Sequence, residues 1–486
     1  MERASDDWKR VARRHAPFLV VLGLGLVLRI LATIAYQPAL LYQDSYGYLI
    51  LSESLDPTTL WPLGYPLFLK GFLAIASLPL VPVFHHLLGL AMGVFLYILL
   101  LRWGAPRWVA VLAVVPVLLD AYQLHSETRV MTETVFQTLV VAGLGLLTWK
   151  RRIGWVALIA AGLLLGMTVP VRMVGQAVLV VTLIGVGLGL TWWRPALVKL
   201  AALGLAMAIP VAAYATYYHS QTDEWGLTPD WVAERTLYTR AARFMDCDQL
   251  DVRAAYRPLC PTEEQQANMR TDDFNWGFES PLNQWEPPEG VDKNQVAGDL
   301  ARRAIREQPL EFAYWVARDV MKSFAPRRET FRFDMPVERW RFQTEWPKNR
   351  SDWEPILANH WEGEPHVEVP IARALRTYQL SVGYVPPTLF GIAGLLGLAG
   401  GIAALRRGDR RFAAVILLWT GVGFVLIGLP AIYQFSQRYQ IPTFVLLPVA
   451  GALGATALFW RPDDHRLTER PDVLLTSDKG STDAPH

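Results

Sequence analysis

Residues 17–36 read PFLVVLGLGLVLRILATIAY. A helix needs about 20 apolar residues to cross the hydrocarbon of a bilayer, and this run supplies them. It follows a basic start, Lys9, Arg10, Arg13 and Arg14, and no small-residue cleavage site comes after it. It therefore reads as a first transmembrane helix, not as a removable leader. Runs of the same kind recur at 82–101, 107–123, 130–149, 153–171, 174–193, 196–217, 383–405, 411–432 and 441–460. The expected fold is an all-α polytopic membrane protein with about ten transmembrane helices. Composition agrees: of 486 residues 52% are hydrophobic and 19% charged, against about 25% charged in soluble domains. The net charge of +2, with no cluster of Lys and Arg, excludes a nucleic-acid partner.

Sidedness follows from the short loops. Arg102 and Arg107, then Lys150, Arg151 and Arg152, then Arg194, then Arg406, Arg407, Arg410 and Arg411 alternate with loops poor in basic residues. The basic set belongs with the basic N-terminus in the cytoplasm. An even number of spans returns the C-terminus to the same side, where the tail 462–486 is expected to be disordered. The expected organisation is a module 1–218 with seven spans, an extracytoplasmic segment 219–381, and three final spans in 382–461.

Two segments face outward. The first, 37–81, is too apolar for a solvated loop and is broken by Pro57, Pro62 and Pro66; its halves 44–55 and 65–78 read as interfacial helices. The second, 219–381, is α-rich, with one helical periodicity over 295–324 and a loop-rich stretch over 326–370. It holds both cysteines, Cys247 and Cys260, and outside the cytoplasm a disulfide is the natural reading. Closing so short a loop contributes about 3 kcal/mol in the chain-entropy account.

The short outer loops hold the residues that can do chemistry. Asp44 follows the first span, among Tyr42, Tyr46 and Tyr48. It is either a helix cap with tyrosine anchors around it or a general base at the membrane edge. Lys70 lies outward on the helix after Trp61–Pro66, where it either snorkels to headgroups or binds an anion. A very short loop brings His125, Glu127, Arg129 and Glu133 together. Arg129 and Glu133 are one turn apart and suited to pair, while Glu127 lies off that face. Arg172 ends the fifth span, and Arg438 with Tyr439 precedes the last. Basic residues are under-represented in outer loops, so Lys70, Arg129, Arg172 and Arg438 together suit an anionic lipid headgroup such as a phosphate. Unrelated interfacial ion pairs are the plainer account.

Four of these stretches resemble the GT-C class of membrane glycosyltransferases, in the branch of protein O-mannosyltransferases, the lipid A aminoarabinose transferase and cell-wall arabinofuranosyltransferases. They are Gln43-Asp44-Ser45-Tyr46, Gly64-Tyr65-Pro66-Leu67, the short acidic loop leading to Met131-Thr132-Glu133, and Arg438-Tyr439-Gln440-Ile441-Pro442. The resemblance covers most of 17–218 and 383–460. It implies an inverting transfer of one sugar from a polyprenyl-phosphate donor to an extracytoplasmic glycan, lipid or protein. Asp44 would be the base, with Glu127 sharing that role or orienting the acceptor. Lys70, Arg129, Arg172 and Arg438 would hold the lipid phosphate. Tyr46, Tyr48, Tyr65, His125, Glu133 and Tyr439 would contact sugar or acceptor. Two departures stand out. Ser45 follows Asp44 where many protein O-mannosyltransferases have a second acid, which weakens a protein acceptor. The acidic set of the metal-dependent oligosaccharyltransferases is absent, so no metal or other cofactor is expected. A transporter or flippase would place polar groups at mid-membrane and show repeats; the spans have few central charges and no repeat is evident. A non-catalytic assembly protein that grips a wall polymer through 219–381 is the other alternative.

Overall fold

The computed structural model describes residues 12–189, 194–346 and 354–460. Lys9, Arg10, the end of the run at 190–193, part of the loop-rich stretch at 347–353, and the tail from 461 lie outside them, as does the side chain of Arg194.

The chain is almost wholly helical. The first module runs α1 (Ala16–Ala35), α2 (Gln43–Ser54), α3 (Gly64–Leu73), α4 (Leu80–Arg102), α5 (Arg107–Leu119), α6 (Ala121–Glu127), α7 (Glu133–Thr148), α8 (Trp155–Gly166), α9 (Thr168–Val171), α10 (Gly175–Gly189) and α11 (Arg194–Thr222). Segment 219–381 contributes α12 (Asp230–Ala242), α13 (Lys293–Glu307), α14 (Pro309–Lys322) and α15 (Val369–Leu380). The chain closes with α16 (Pro387–Arg406), α17 (Arg410–Ala431) and α18 (Thr443–Phe459).

Among the described residues six helices are long and apolar enough to span a membrane: α1, α4, α11, α16, α17, and α18 with the turn before it. The pair α5 and α6, bent by 48°, makes a seventh if it counts as one span. Three further expected spans are occupied by shorter apolar helices, Glu133–Thr148, Trp155–Val171 and Gly175–Gly189. So the structure supports six or seven long spans where ten were expected. The bend between α5 and α6 has a local cause. Pro116 interrupts the helix, and Asp120 starts a new one by accepting the Tyr122 N–H at 2.9 Å.

The outward faces agree with a lipid solvent. Leu19, Val20, Leu24, Val27 and Ile30 of α1 are all exposed and would be costly in water. The last three helices pack tightly through small residues: a Cβ on Gly400 would lie 2.3 Å from the Gly454 Cα. Such close backbone approach is how helices associate in lipid.

Helices stand at both expected places in 37–81, α2 and α3. The expected helix over 295–324 is two, α13 and α14. Pro309 has no N–H to donate and pushes Gln308 out of the helical region (φ −124°, ψ 58°). Segment 219–381 has its own core, built from Tyr238, Phe274, Leu282, Leu300, Ala301 and Ala304, and Cys247 and Cys260 are disulfide-bonded beside it. Its end returns to the first loop. Strand β1 (Tyr36–Gln37) pairs antiparallel with β2 (His366–Val367), Tyr36 opposite Val367. Leu375 and Phe342 join Ala32, Ala35 and Leu40 in one buried cluster.

Candidate active site

The loops at the end of the bundle that bears 219–381 converge on Asp44. The start of α2 is fixed by Ser45, whose Oγ accepts the Tyr42 N–H at 2.9 Å. This is half of a capping box, and it leaves the Asp44 carboxylate free to reach across the bundle. Arg438 Nη1 lies 2.5 Å from Asp44 Oδ2, and Arg438 Nε donates to Glu133 Oε1 at 2.8 Å. Arg172 Nη1 is 3.0 Å from the same Glu133 oxygen. Two carboxylates and two guanidiniums from four loops thus form one cluster. Glu133 is 1% exposed, while Asp44 and Arg438 are 21% and 14% exposed. Tyr439 lies beside both arginines, its ring centre 6.0 Å from each guanidinium carbon.

The Gly64-Tyr65-Pro66 turn positions this cluster from behind. A Cβ on Gly64 would lie 2.5 Å from the carbonyl carbon of Pro170, so only glycine allows α3 to approach α9, the short helix that Arg172 directly follows. Tyr65 is buried, with its hydroxyl 3.5 Å from His85 Nε2; His85 Nδ1 is 3.1 Å from the Arg129 carbonyl. Tyr48 packs edge-on to Tyr65 and to Trp61. Tyr48 and Tyr65 are therefore wall residues behind the cluster, while Tyr46 is buried in the same core. His125 is buried edge-on to Phe342, on the α1 side of the site.

Arg129 does not pair with Glu133, as its helical spacing suggested; the Glu133 carboxylate takes Arg438 and Arg172 on its Oε1 instead. Its guanidinium sits between the rings of Tyr42 (5.2 Å) and Trp340 (5.0 Å) and donates to the Arg339 carbonyl. Its Nε and Nη1 have no hydrogen-bond partner among the described residues, although the side chain is buried. Burial lowers its pKa, to about 10, with Glu133 and Asp44 near enough to oppose the shift; it is charged at neutral pH. Buried donors left unpaired are uncommon and call for an explanation.

Lys70 is not brought to the cluster. It is exposed and donates to the Glu53 carbonyl at 3.1 Å, at the far end of α2 from Asp44. Its ammonium serves the unsatisfied carbonyls of a helix C-terminus.

Glu127 is not brought there either, and the catalytic role expected of it needs correction. It is fully buried and every lone-pair site is occupied. Arg29 donates to both of its oxygens at 2.9 Å, His86 Nδ1 is 2.9 Å from Oε2, and Gln123 donates to Oε1 at 3.0 Å. A carboxylate offers about four such sites, so none remains for a substrate proton. Arg29 is satisfied in turn: its other N–H groups reach the carbonyls of Gly25, Val117 and Leu118. The latter two are left open where α5 ends at its bend. Gly89 lets the pair sit this close, since a Cβ there would lie 2.1 Å from Glu127 Oε1.

Sequence reasoning missed four contributors. A lone arginine in an apolar span asks for a buried partner, and that signal marks Arg29. Trp340, Asp272 and Gln434 carried none. Trp340 covers Tyr42 at 5.1 Å between ring centres. Asp272 comes from the middle of 219–381. It lies close to Gln434 in the last loop, and burial raises its carboxyl pKa, with the Asp44 charge close enough to add to the shift.

No protein-family model matches this sequence, and no curated protein matches it. The solved structures similar to it include GT-C class glycosyltransferases, the class its motifs resemble. One is the protein O-mannosyltransferase Pmt1–Pmt2 complex of S. cerevisiae bound to its sugar donor, at 16% identity and TM-score 0.33, over 51% of this chain and 37% of that one. Another is the oligosaccharyltransferase AglB of Archaeoglobus fulgidus with an inhibitory peptide and a dolichol-phosphate, at 14% identity and TM-score 0.41, over 91% of this chain and 50% of that one. This chain therefore matches half or less of the length of either. The likeness is distant, and the roles below rest on the geometry of the site itself.

Proposed function

We propose that this protein is an inverting glycosyltransferase that moves one sugar from a polyprenyl-phosphate donor to an acceptor hydroxyl on the extracytoplasmic side of a membrane. The observation that carries the proposal is the shared ion cluster of Asp44, Glu133, Arg172 and Arg438, with the unpartnered N–H groups of Arg129 beside it. A phosphate that enters this cluster competes with Asp44 for Arg438. It takes hydrogen bonds from Arg438 and Arg129, and Asp44 is released to act as a base.

Asp44 removes the proton of the acceptor hydroxyl. The oxygen attacks the anomeric carbon, and the bond from that carbon to the phosphate oxygen breaks. The electron pair leaves with the polyprenyl phosphate, whose charge the arginines stabilise. Glu133 does not react; it holds Arg172 and Arg438 in place. No metal is needed in this scheme, because the phosphate is already a competent leaving group. Tyr439 and Tyr42 lie beside the arginines and suit a sugar ring. The acceptor's identity is left to its class, a glycan, lipid or protein of the cell envelope.

The test is Asp44→Asn in purified protein with a polyprenyl-phosphate sugar. Loss of a positioned base lowers turnover by about 10²–10⁴, with folding and donor binding retained. Wild-type turnover in that variant would refute the role of Asp44.

A further inference from the structure

The loop that carries Arg438 is held mainly from above. Between the end of α17 and Arg438, segment 219–381 touches nearly every second residue. Arg240 of α12, with no exposed surface, donates to the carbonyls of Ala431 at 3.0 Å and Ile432 at 3.1 Å. Asp272 lies close to Gln434. Phe435 packs edge-on to Phe331 at 5.5 Å and lies 5.5 Å from the Lys322 ammonium. Gln437 donates to the Glu329 carbonyl at 3.1 Å. From the bundle, Glu133 and Asp44 hold the Arg438 side chain, and Gln137 donates to the Ile441 carbonyl at 2.7 Å, past Arg438.

Arg240 is itself anchored. It pairs with Asp319 of α14, and Lys322 bridges Asp319 and Asp334 at 2.7 Å each. A buried guanidinium at the C-terminal end of a helix meets open carbonyls and the negative end of the dipole. Here that geometry also fixes where the following loop begins, six residues before Arg438.

We infer that Arg240 is a positioning residue for the transfer reaction: through the carbonyls of Ala431 and Ile432 it sets the loop that presents Arg438 to Asp44 and to the donor phosphate. Segment 219–381 is thereby part of the active-site machinery, and its docking onto α17 is what makes the phosphate site complete. The inference rests on the reading of Arg438 as a phosphate ligand, and two measurements separate the two claims.

The first is a double-mutant cycle on binding of a short-chain polyprenyl monophosphate in detergent, with unfolding temperature recorded for each variant. Arg438→Gln and Arg240→Gln are each expected to weaken binding about tenfold, since about 1.4 kcal/mol is a factor of ten. The double variant is expected to weaken it about tenfold as well, because residues acting through one another do not add. A product of the two losses, or wild-type binding in Arg240→Gln, overturns the positioning role. Wild-type binding in Arg438→Gln overturns the phosphate reading instead.

The second measurement needs no substrate. A bifunctional thiol reagent links Asp44→Cys to Arg438→Cys, both native cysteines being disulfide-bonded. The yield should fall severalfold when Arg240→Gln is added, and an equal yield overturns the inference. If Arg240→Gln does not fold, Gln437→Ala removes another anchor of the same loop, and the same outcomes decide.

Discussion

At the scale of single residues, two carboxylates that look alike in sequence have opposite surroundings. Asp44 has one strong partner and is partly exposed. Glu127 has four hydrogen bonds and no exposed surface. A buried ion pair that loses one member leaves the other charge uncompensated, at a cost of about 3–5 kcal/mol. Glu127→Gln is therefore expected to lower stability by about 3 kcal/mol, read as a large drop in unfolding midpoint. Asp44→Asn should leave the midpoint nearly unchanged. A Glu127→Gln protein with a normal midpoint and a hundredfold rate loss would return Glu127 to the chemistry. Asp44, Glu133, Arg172, Arg438 and Tyr439 were legible because charged and aromatic side chains in short loops are conspicuous against apolar spans. Glu127 was misplaced for the same reason. Its loop position is visible in sequence, but the guanidinium of Arg29 that faces it comes from a helix far away in the chain.

At the scale of elements, the helix boundaries near the site do the positioning. Ser45 occupies the place where a second acid was expected beside Asp44, and its hydroxyl ties down the start of α2. Loss of such a cap costs about 1 kcal/mol. Ser45→Ala should therefore raise amide hydrogen exchange over residues 42–46 and reduce turnover less than tenfold, since Asp44 stays in place with a looser base. Unchanged exchange there would show that Arg438 alone fixes the helix start. The shapes of the elements were partly legible. The apolar runs gave α1, α4 and α17 to within two residues and α16 to within four, because burial in lipid leaves a plain compositional trace. The break at Gln308-Pro309 was hidden by a periodicity that continues across it, from Val296 to Val320, although proline forbids the helix to do so. The number of full spans was less legible still. Helices α7, α8 and α10 are mostly apolar, and apolarity alone does not fix helix length.

At the scale of the whole molecule, the docking of 219–381 onto the bundle depends on a chain of buried charges, and this predicts a pH dependence. Arg240, Asp319, Lys322 and Asp334 form one buried network between α12, α14 and the end of α17. None of this was legible in sequence, because the four residues become neighbours only when the segment folds. Burial raises the Asp334 carboxyl from its ordinary 3.8 to about 6, which the adjacent Lys322 opposes without cancelling. In the folded protein this group holds its proton to higher pH than in the unfolded chain. Between those two values the folded state binds more protons, so stability falls as pH rises. Below the ordinary value both states are protonated, and above about 6 both are ionised, so the slope vanishes on either side. The full effect is on the order of 3 kcal/mol. Asp272, raised in the same direction by burial at the contact with Gln434, adds to it. Unfolding temperature measured from pH 4 to 8 in detergent should therefore decline up to about pH 6 and then level, once the titration of other carboxyls is subtracted. Asp334→Asn provides that subtraction: the variant should lose most of the decline while retaining the Arg240–Asp319 pair. If wild type and Asp334→Asn gave parallel profiles, the ionisation of Asp334 would not be coupled to docking, and the hold on the Arg438 loop would have to come from the hydrogen bonds of Arg240 and Gln437 alone.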